Sequence, residues 1–496
     1  MGLVTVRGRL SRVLASFLLV AAPAFAHVGT SSVFIQGKAG PYAVYVTVVP
    51  PAVIPGEAQI SVLCDDPALQ SVMAQANVLA GESARNMPEG LRLQAGAAGS
   101  NEFHGTVWIM TQGSWQVRLT AAGAKGSGAL AVPLPASPVR LMHMSKGFGG
   151  LLIVLGLFLV AAVASIASAA LREAAAEPGS EPTAADARAG SVAAVVAVLL
   201  VGVLLLAGNS LLRQEITRYT QNIYQPLEMT PTLSGATSRT TLHLRLRPPS
   251  TAQEIFSSRR LDDLVLDHNH LMHLYVVRWP EMSVVYHLHP AQVSAGDFDV
   301  ALPAIAAGDY RLFADIVHAD GFPETAVAEV HLDVPQGMAL AGDDAYGELA
   351  PFPQVAASEI PLADGYRFRF AVETPQGKGE AIVRANSPVV LRFTLLDPRG
   401  NAPSDMENYM GMLGHLAIIR SDGSVFAHIH PEGSAAMAAM IMANTAAGAS
   451  MEMSPAKFSN TADFPFGFPV AGRYRIVIQM KHGTKIETGA ADLVVQ

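Results

Sequence analysis

The sequence has little cysteine and little charge. Cys64 is the single cysteine among 496 residues, and only 15% of the residues are charged. One cysteine excludes an intrachain disulfide, a four-cysteine zinc site and a cysteine-bound iron–sulfur cluster. The net charge of −8 is spread along the chain, so the clustered lysines and arginines that bind nucleic-acid phosphates are missing. We therefore expect no nucleic-acid partner.

The sequence also lacks common enzyme motifs. It contains no glycine-rich phosphate loop, no HExxH pair, no nucleophile elbow and no CxxCH haem site. A copper oxidase or another redox enzyme would need an open coordination position and a substrate cleft, and the sequence indicates neither. We predict that the protein is not an enzyme.

Apolar residues, in contrast, are abundant, with 50% hydrophobic residues and a mean hydropathy of +0.31. Residues 1–26 have the pattern of a cleaved signal peptide, with an uncleaved anchor as the alternative. Residues 148–171 and 191–212 are long and apolar enough to be transmembrane helices, and residues 172–190 between them are a short polar loop. We expect a bacterial inner-membrane protein with a cytoplasmic loop and both globular parts in the periplasm.

Short runs of β-branched and aromatic residues, separated by glycine and proline, fill residues 27–139. The same pattern returns in residues 225–335 and 362–496, and residues 336–361 have the composition of a linker. Such spacing is typical of antiparallel sandwiches. The predicted fold class is mainly β, with three antiparallel immunoglobulin-like β-sandwich domains and two transmembrane α-helices.

The two C-terminal parts form an internal repeat. The residues HLYVVR at 273–278 match HLAIIR at 415–420, and HLHP at 287–290 matches HIHP at 428–431. Further on, His318 follows Tyr310 by eight residues in the first copy, and His482 follows Tyr474 by eight residues in the second. Agreement over so many ordered positions indicates a duplicated domain.

The second copy places three histidines on one hairpin. Asp422-Gly423 is typical of a two-residue type I′ turn, and the register that follows sets His415 opposite His430. Alternation along a strand puts His428 on the same face as His430.

The first copy preserves this arrangement although its loop is longer. A three-residue loop at 280–282 sets His273 opposite His289, with His287 on the same face. Three neutral imidazoles about 5 Å apart have little reason to cluster, and they would repel one another if protonated. A bound metal ion removes that penalty. The sequence thus predicts one metal site in each copy, and histidines with a purely structural role are the alternative.

The identity of the metal depends on the neighbouring ligands. Imidazole suits zinc, copper, iron and nickel, whereas thioether selects Cu(I). Met410 and Met412 precede the second triad, where the first copy has His268 and His270. We expect copper, as Cu(I) or Cu(II), with zinc as the alternative. Strict alternation directs His270 and Met412 to the opposite face, so only a bulge or a strand end would bring them to the triads. Packing on an apolar helix is the alternative role of the methionines at 437–442.

Cleavage after residue 26 would leave His27 at the mature N-terminus, where its amino group and ring nitrogen together suit Cu(II). The complete set of predicted metal ligands is His273, His287, His289, His415, His428, His430, His27, His270 and Met412.

Residues 267–274 (DHNHLMHL), followed by YHLHP at 286–290, resemble small periplasmic sandwich domains of the YtkA-like group. Such domains are also attached to heavy-metal efflux adaptor proteins and are likened to the CopC copper carriers. The resemblance covers both C-terminal domains, and His27 is similar in kind to the first ligand of CopC-like carriers. The resemblance implies that the protein associates with metal, copper in particular, in the periplasm.

From these observations we predict a membrane-anchored periplasmic metal-binding protein for storage, delivery or tolerance of copper. Its partners would be a metal ion, the membrane and a further membrane or periplasmic protein. The alternative is an immunoglobulin-like assembly module for a membrane complex, in which the histidines are structural.

Overall fold

The computed structural model is mainly β, with several antiparallel sheets and, in the part of the chain that it describes, three helices. It describes residues 32–80, 88–97, 101–142, 144–174, 179–236, 239–249, 260–353, 358–377, 379, 382–448 and 458–496. The predicted signal peptide and His27 lie outside these residues.

The N-terminal unit has two sheets that enclose one hydrophobic core. Residues alternate between buried and exposed along Tyr42–Val49, as expected of a strand with one face in a core. This strand is one of the short runs of β-branched and aromatic residues in the sequence. The strands are Val33–Ala39 (β1), Tyr42–Val49 (β2), Gly56–Leu63 (β3), Leu69–Val78 (β4), Leu91–Arg92 (β5), Gln94–Ala95 (β6), Glu102–Ile109 (β7), Gly113–Gly123 (β8) and Gly126–Ala136 (β9).

Two long helices follow, Lys146–Glu173 (α1) and Ala184–Gln221 (α2), and they pack against each other. Both are long and apolar enough to cross a membrane. Helix α2 begins inside the polar segment predicted as a loop. The cause is a capping box, in which Thr183 Oγ1 accepts from the Asp186 backbone N–H and the Asp186 carboxylate accepts from the Thr183 backbone N–H.

The first copy of the repeat is one sheet of nine strands that folds around its own core. The strands are Glu228–Ala236 (β10), Arg239–Arg247 (β11), His273–Arg278 (β12), Val284–Leu288 (β13), Ala291–Ser294 (β14), Asp297–Ala301 (β15), Ile305–Val317 (β16), Pro323–Val334 (β17) and Ala345–Glu348 (β18). Strand β18 lies within the segment predicted as a linker and pairs with β13. The segment predicted as a linker thus contains a short strand, whose residues alternate between buried and exposed and which lies at the edge of the sheet.

The second copy has two sheets around one core, and Met437–Ala446 (α3) follows its hairpin. The strands are Glu359–Pro361 (β19), Arg367–Glu373 (β20), Pro388–Leu396 (β21), Met406–Glu407 (β22), His415–Arg420 (β23), Phe426–Ile429 (β24), Thr461–Gly467 (β25), Gly472–His482 (β26) and Lys485–Val495 (β27).

The two copies pack against each other through the hairpins β12–β13 and β23–β24. Leu274 and Val276 enter the core of the first copy, whereas Tyr275 and Val277 on the opposite face belong to a separate cluster with Phe426 and other residues of the second copy. The face of each hairpin that carries the histidine triad is therefore the face between the copies.

Two equivalent arginines fix this packing in a reciprocal way. Arg475 in β26 donates to the Met282 carbonyl, in the hairpin loop of the first copy, at 2.6 Å. Arg311 in β16 donates to the Asp422 carbonyl, in the hairpin loop of the second copy, at 3.2 Å. Each copy thus holds the loop of the other, as in a dimer with twofold symmetry.

The N-terminal unit docks on the second copy near the end of its hairpin. The Phe34 backbone N–H donates to Ser434 Oγ at 3.0 Å. Asn444 of α3 exchanges two hydrogen bonds with the backbone of Ala131 in β9. The N-terminal unit is therefore held beside the C-terminal end of β24.

Candidate metal centre

The register predicted for the second hairpin is confirmed. Ala417 pairs with His428, and the same register places His415 across from His430. The predicted turn type is wrong. A type I′ turn needs a positive φ at both loop residues, and only Gly423 has one, at 69°. Asp422 instead accepts from the Ser424 backbone N–H at 2.9 Å, which makes a longer loop without changing the register.

The register predicted for the first hairpin is also confirmed. Tyr275 pairs with His287, so His273 stands across from His289. The ring centroids of His273 and His289 are 5.1 Å apart, and those of His287 and His289 are 4.6 Å apart.

The two triads do not form two separate sites, because the packing of the copies brings them together. The ring of His428 in the second copy lies 4.8 Å from that of His273 and 5.6 Å from that of His287 in the first copy. We call the resulting set of eight neighbouring imidazoles the histidine cluster. Its members are His268, His270, His273, His287, His289, His415, His428 and His430.

Two members, His268 and His270, come from a tight turn just before β12. The backbones of Asp267 and His270 exchange hydrogen bonds of 2.9 Å each way, and His268 and Asn269 both have positive φ, so this is a type I′ turn. Tyr409 and Met412 form the equivalent turn in the second copy. As predicted from alternation, His270 reaches the cluster from outside the strand, where it stacks on His289 at 3.8 Å.

His268 is a member that the sequence analysis did not predict as a ligand. Its ring lies 4.5 Å from that of His430 and 4.9 Å from that of His415, so a residue of the first copy completes a group in the second. The Asp-His-Asn-His sequence indicates this turn, because Asn tolerates the left-handed conformation that the turn requires.

Within the histidine cluster, ligand atoms converge in two groups, each drawn from both copies. The ring nitrogens of the first group lie within 4.8 Å of one another, as do those of the second. The first group is His268, His415 and His430, and the second is His273, His287 and His428.

Hydrogen bonds outside the second group fix the protonation of its rings. His273 Nε2 faces the Asp267 carbonyl at 3.1 Å and must carry the proton, because a carbonyl only accepts. His287 Nδ1 faces Gln479 Oε1 at 2.9 Å and donates to it. The Tyr409 hydroxyl donates to the Asp343 backbone carbonyl, so its oxygen accepts from His287 Nδ1 at 3.3 Å.

The consequence is two lone pairs that point at each other. His273 Nδ1 and His287 Nε2 are 3.1 Å apart, and neither has a proton left when both rings are neutral. Two nitrogens bound to one tetrahedral ion at ~2.05 Å would be about 3.3 Å apart. The pair therefore has the spacing of two ligands of one ion.

Two other imidazoles also have one ring nitrogen fixed by a partner outside the cluster. His289 Nδ1 is held by the Asp344 carboxylate at 3.0 Å, and His268 Nδ1 by the Met410 carbonyl at 3.0 Å. In both, the Nε2 atom is buried and has no hydrogen-bond partner among the described residues. An outer partner that fixes the ring and leaves the inner nitrogen free is the usual surrounding of a metal-bound histidine.

The second copy leaves still more nitrogens unsatisfied. Among the described residues, neither ring nitrogen of His415, His428 or His430 makes a hydrogen bond, although all three side chains are buried. Buried polar atoms without partners cost free energy. A ligand that binds here would remove that cost.

Six histidines of the cluster have a lowered pKa, which favours their neutral form. Burial, followed by repulsion from neighbouring imidazoles, lowers the pKa of five of its histidines well below the usual value; these are His273, His287, His415, His428 and His430. Burial also lowers the pKa of His289, against the opposing effect of Asp344. Neutral imidazole is the form that binds metals.

Carboxylates lie at the edges of the cluster. Asp315 Oδ2 is 3.5 Å from His428 Nδ1, and burial raises the pKa of Asp315 to about 7. On the other side, Asp343 faces His270 at 3.2 Å and Asp344 faces His289. Asp343 and Asp344 belong to the segment that was predicted to be only a linker.

Several methionines pack among apolar residues. Met412 lies in the hydrophobic core of the N-terminal unit with Met437 and Met440, and Met410 packs with Ala345 and Tyr409. The packing role is therefore the one that the structure supports for the methionines at 437–442, and the thioether-rich second site stays a prediction.

The matched pair His318 and His482 lies outside the cluster, and each ring is held between two carboxylates. His318 contacts Asp263 and Glu324 at 3.1 Å each. His482 contacts Asp405 at 3.3 Å and Glu487 at 3.1 Å. These rings have both nitrogens occupied by hydrogen-bond partners, so they act as links between loops and strands.

Comparisons with known proteins give little further information. The domain of unknown function DUF8832 matches residues 364–496, which is well under half of the chain. No curated protein matches the chain in sequence.

Two solved structures resemble it weakly. Latent PorU from Porphyromonas gingivalis is 10% identical with a TM-score of 0.13, over 94% of this chain and 34% of PorU. Salmonella alpha-2-macroglobulin is 8% identical with a TM-score of 0.20, over 94% of this chain and 23% of that protein. The chain thus spans about a third of the length of PorU, and neither likeness bears on its activity.

Proposed function

We propose that the protein binds copper ions in the histidine cluster and serves in copper storage, delivery or tolerance. The observation that carries this proposal is the set of fixed tautomers. His268, His273, His287 and His289 each have an outer partner on one ring nitrogen, and the other nitrogen points into the cluster without a proton. Five of the eight imidazoles are buried and have lowered pKa values that favour the neutral form, and facing lone pairs repel one another unless a cation lies between them.

The ligand set favours copper or zinc over the hard cations. Imidazole nitrogens bind both metals well, whereas magnesium and calcium prefer oxygen. Among divalent ions a nitrogen site binds copper more tightly than zinc. Because the two groups of converging ligand atoms consist of imidazole nitrogens, they suit Cu(II) as well as Cu(I).

We further propose that the three β units are immunoglobulin-like sandwiches. A tyrosine whose hydroxyl donates to a backbone carbonyl a few residues upstream is a feature of that class. Tyr310 donates to Ala306 and Tyr474 to Val470 in this way. The two apolar helices would anchor the protein in a bacterial inner membrane, with the β units in the periplasm.

Metal titration of the full-length protein in detergent tests the function. Samples with Cu(I), Cu(II) and Zn(II) are analysed for bound metal after desalting, together with the metal content of the protein as isolated. We expect stoichiometric copper binding that is lost in the double variant His273→Ala, His415→Ala. The control is His331→Ala, since His331 is exposed and contacts only Asp309 in the described contacts.

Absence of stoichiometric binding, or binding unaffected by the double variant, would contradict the proposal. Stable co-purification with a partner protein, without any metal dependence of folding, would instead support an assembly module with structural histidines.

A further inference from the structure

A cavity of about 130 Å³ leads from the surface to one edge of the histidine cluster. All three β units contribute to its wall, including Pro135 and Ser137 of the N-terminal unit and Asp315 of the first copy. Val139 at its rim is 37% exposed. His428 and His430, both buried, line its inner end.

The inner end of the cavity presents groups that bind a metal. Thr325 donates to Asp315 Oδ1 at 3.0 Å, which holds the carboxylate in place. Asp315 Oδ2 then lies 3.5 Å from His428 Nδ1. The cavity therefore ends beside one carboxylate and two buried imidazoles, whose ring nitrogens make no hydrogen bonds among the described residues.

The size of the cavity fits an ion that still carries water. One water molecule needs about 10–15 Å³ of such space, so the cavity holds several. Copper and zinc accept carboxylate oxygen as well as imidazole nitrogen. A carboxylate at the inner end can therefore replace one water before the imidazoles replace the rest.

We propose that this cavity is the port through which the metal ion enters and leaves the histidine cluster, and that Asp315 is the first ligand that the ion meets. The proposal rests on the proposed function, because it assigns a route to the same site. The competing route lies at the other edge of the cluster, where the side chains of His270 and Asp343 are 24% and 35% exposed.

Loading kinetics of the full-length protein in detergent test the port. Cu²⁺ is added as a weak glycine chelate, and loading is followed in a stopped-flow instrument by fluorescence quenching. Extraction by excess EDTA is measured afterwards. We study Ser137→Trp, which fills the outer part of the cavity, with Ser137→Ala as its control. We also study Asp315→Asn, with Asp309→Asn on the same strand as its control, since Asp309 is exposed and remote from the cavity.

We expect Ser137→Trp to slow both loading and extraction while the final stoichiometry is unchanged. At about pH 8, where the carboxylate is charged, Asp315→Asn should slow loading by about tenfold, the lower end of the effect of charge in a cleft on an association rate. The two controls should load as the wild type does.

Wild-type rates in both Ser137→Trp and Asp315→Asn, with slow loading in Asp343→Asn, would overturn the proposal and place the port at the opposite edge. If Asp315→Asn does not fold, Ser137→Trp alone decides. Failure of the wild type to bind Cu²⁺ at all is a separate result, which refutes the proposed function and this port with it.

Discussion

Acid should destabilise the metal-free protein strongly, because its buried histidines are neutral when folded. Below pH 6.5 the unfolded chain protonates these rings, whereas the folded chain, with its lowered pKa values, does not. The unfolded state then binds more protons, so stability is full above pH 6.5 and falls as the pH falls. Five such rings, each losing ~1.4 kcal/mol between pH 7.5 and 5.5, give a loss of about 7 kcal/mol.

One carboxylate acts in the opposite direction. The pKa of Asp315 is raised to about 7, so the folded chain takes up this proton first and gains about 2 kcal/mol over the same interval. The net loss is about 5 kcal/mol before smaller offsets from Asp267 and His318, whose pKa values are also raised, by burial and by two flanking carboxylates respectively. That loss is comparable with the whole stability of many domains.

The assay is urea unfolding of the metal-free, full-length chain in detergent at pH 7.5 and 5.5, followed by tryptophan fluorescence. We expect a much lower midpoint at pH 5.5. The double variant His415→Gln, His428→Gln removes two of the five rings and should reduce the pH dependence by about 3 kcal/mol. His331→Gln, at an exposed position, should leave it unchanged. Equal midpoints at both pH values, or a full pH dependence in the double variant, would refute the reasoning.

Three further predictions concern ligands, their outer partners and the interface. Asp344→Asn should weaken Cu²⁺ binding by about 10–100-fold in chelator competition, because the carboxylate fixes the ring of His289. The control Asp299→Asn, beside the half-exposed His243, should bind Cu²⁺ as the wild type does. Equal affinities of the two variants would contradict this role of Asp344. His268→Ala removes a ligand from only one group, so calorimetric titration should show one of two binding phases weakened, and a loss of both phases would mean that the groups act as one site. Asp492→Ala leaves the buried Arg475 without its two hydrogen bonds of 2.8 Å to that carboxylate. It should lower the free energy of unfolding by about 3–5 kcal/mol in thermal or urea unfolding. The control Asp262→Ala, at an exposed ion pair, should lower it by about 1 kcal/mol or less.

The register of both hairpins could be predicted because it depends on local rules. Loop length and the alternation of side chains fix which residues stand opposite each other. For that reason His415 and His430 are paired as expected, even though the turn between them is not of the expected type. The register is kept because the longer loop takes the same number of residues from each of the two strands.

The fusion of the two triads could not be predicted in the same way. It depends on which outer faces of two separate cores pack together, and no local pattern specifies that contact. Tyr275 and Phe426 are apolar on a face that also carries histidines, and this combination is the signal for a face buried between units. Asp343 and Asp344 were missed for a related reason, because a short edge strand of four residues has too little periodicity to stand out from a linker.

The reciprocal contacts of Arg311 and Arg475 have a consequence for how the site is assembled. Because both hairpins belong to one polypeptide, the faces that meet are at a high effective concentration, and their association does not depend on how much protein is present. The chain is in this respect a dimer that cannot dissociate by dilution. Even a single molecule in a membrane would carry the complete histidine cluster.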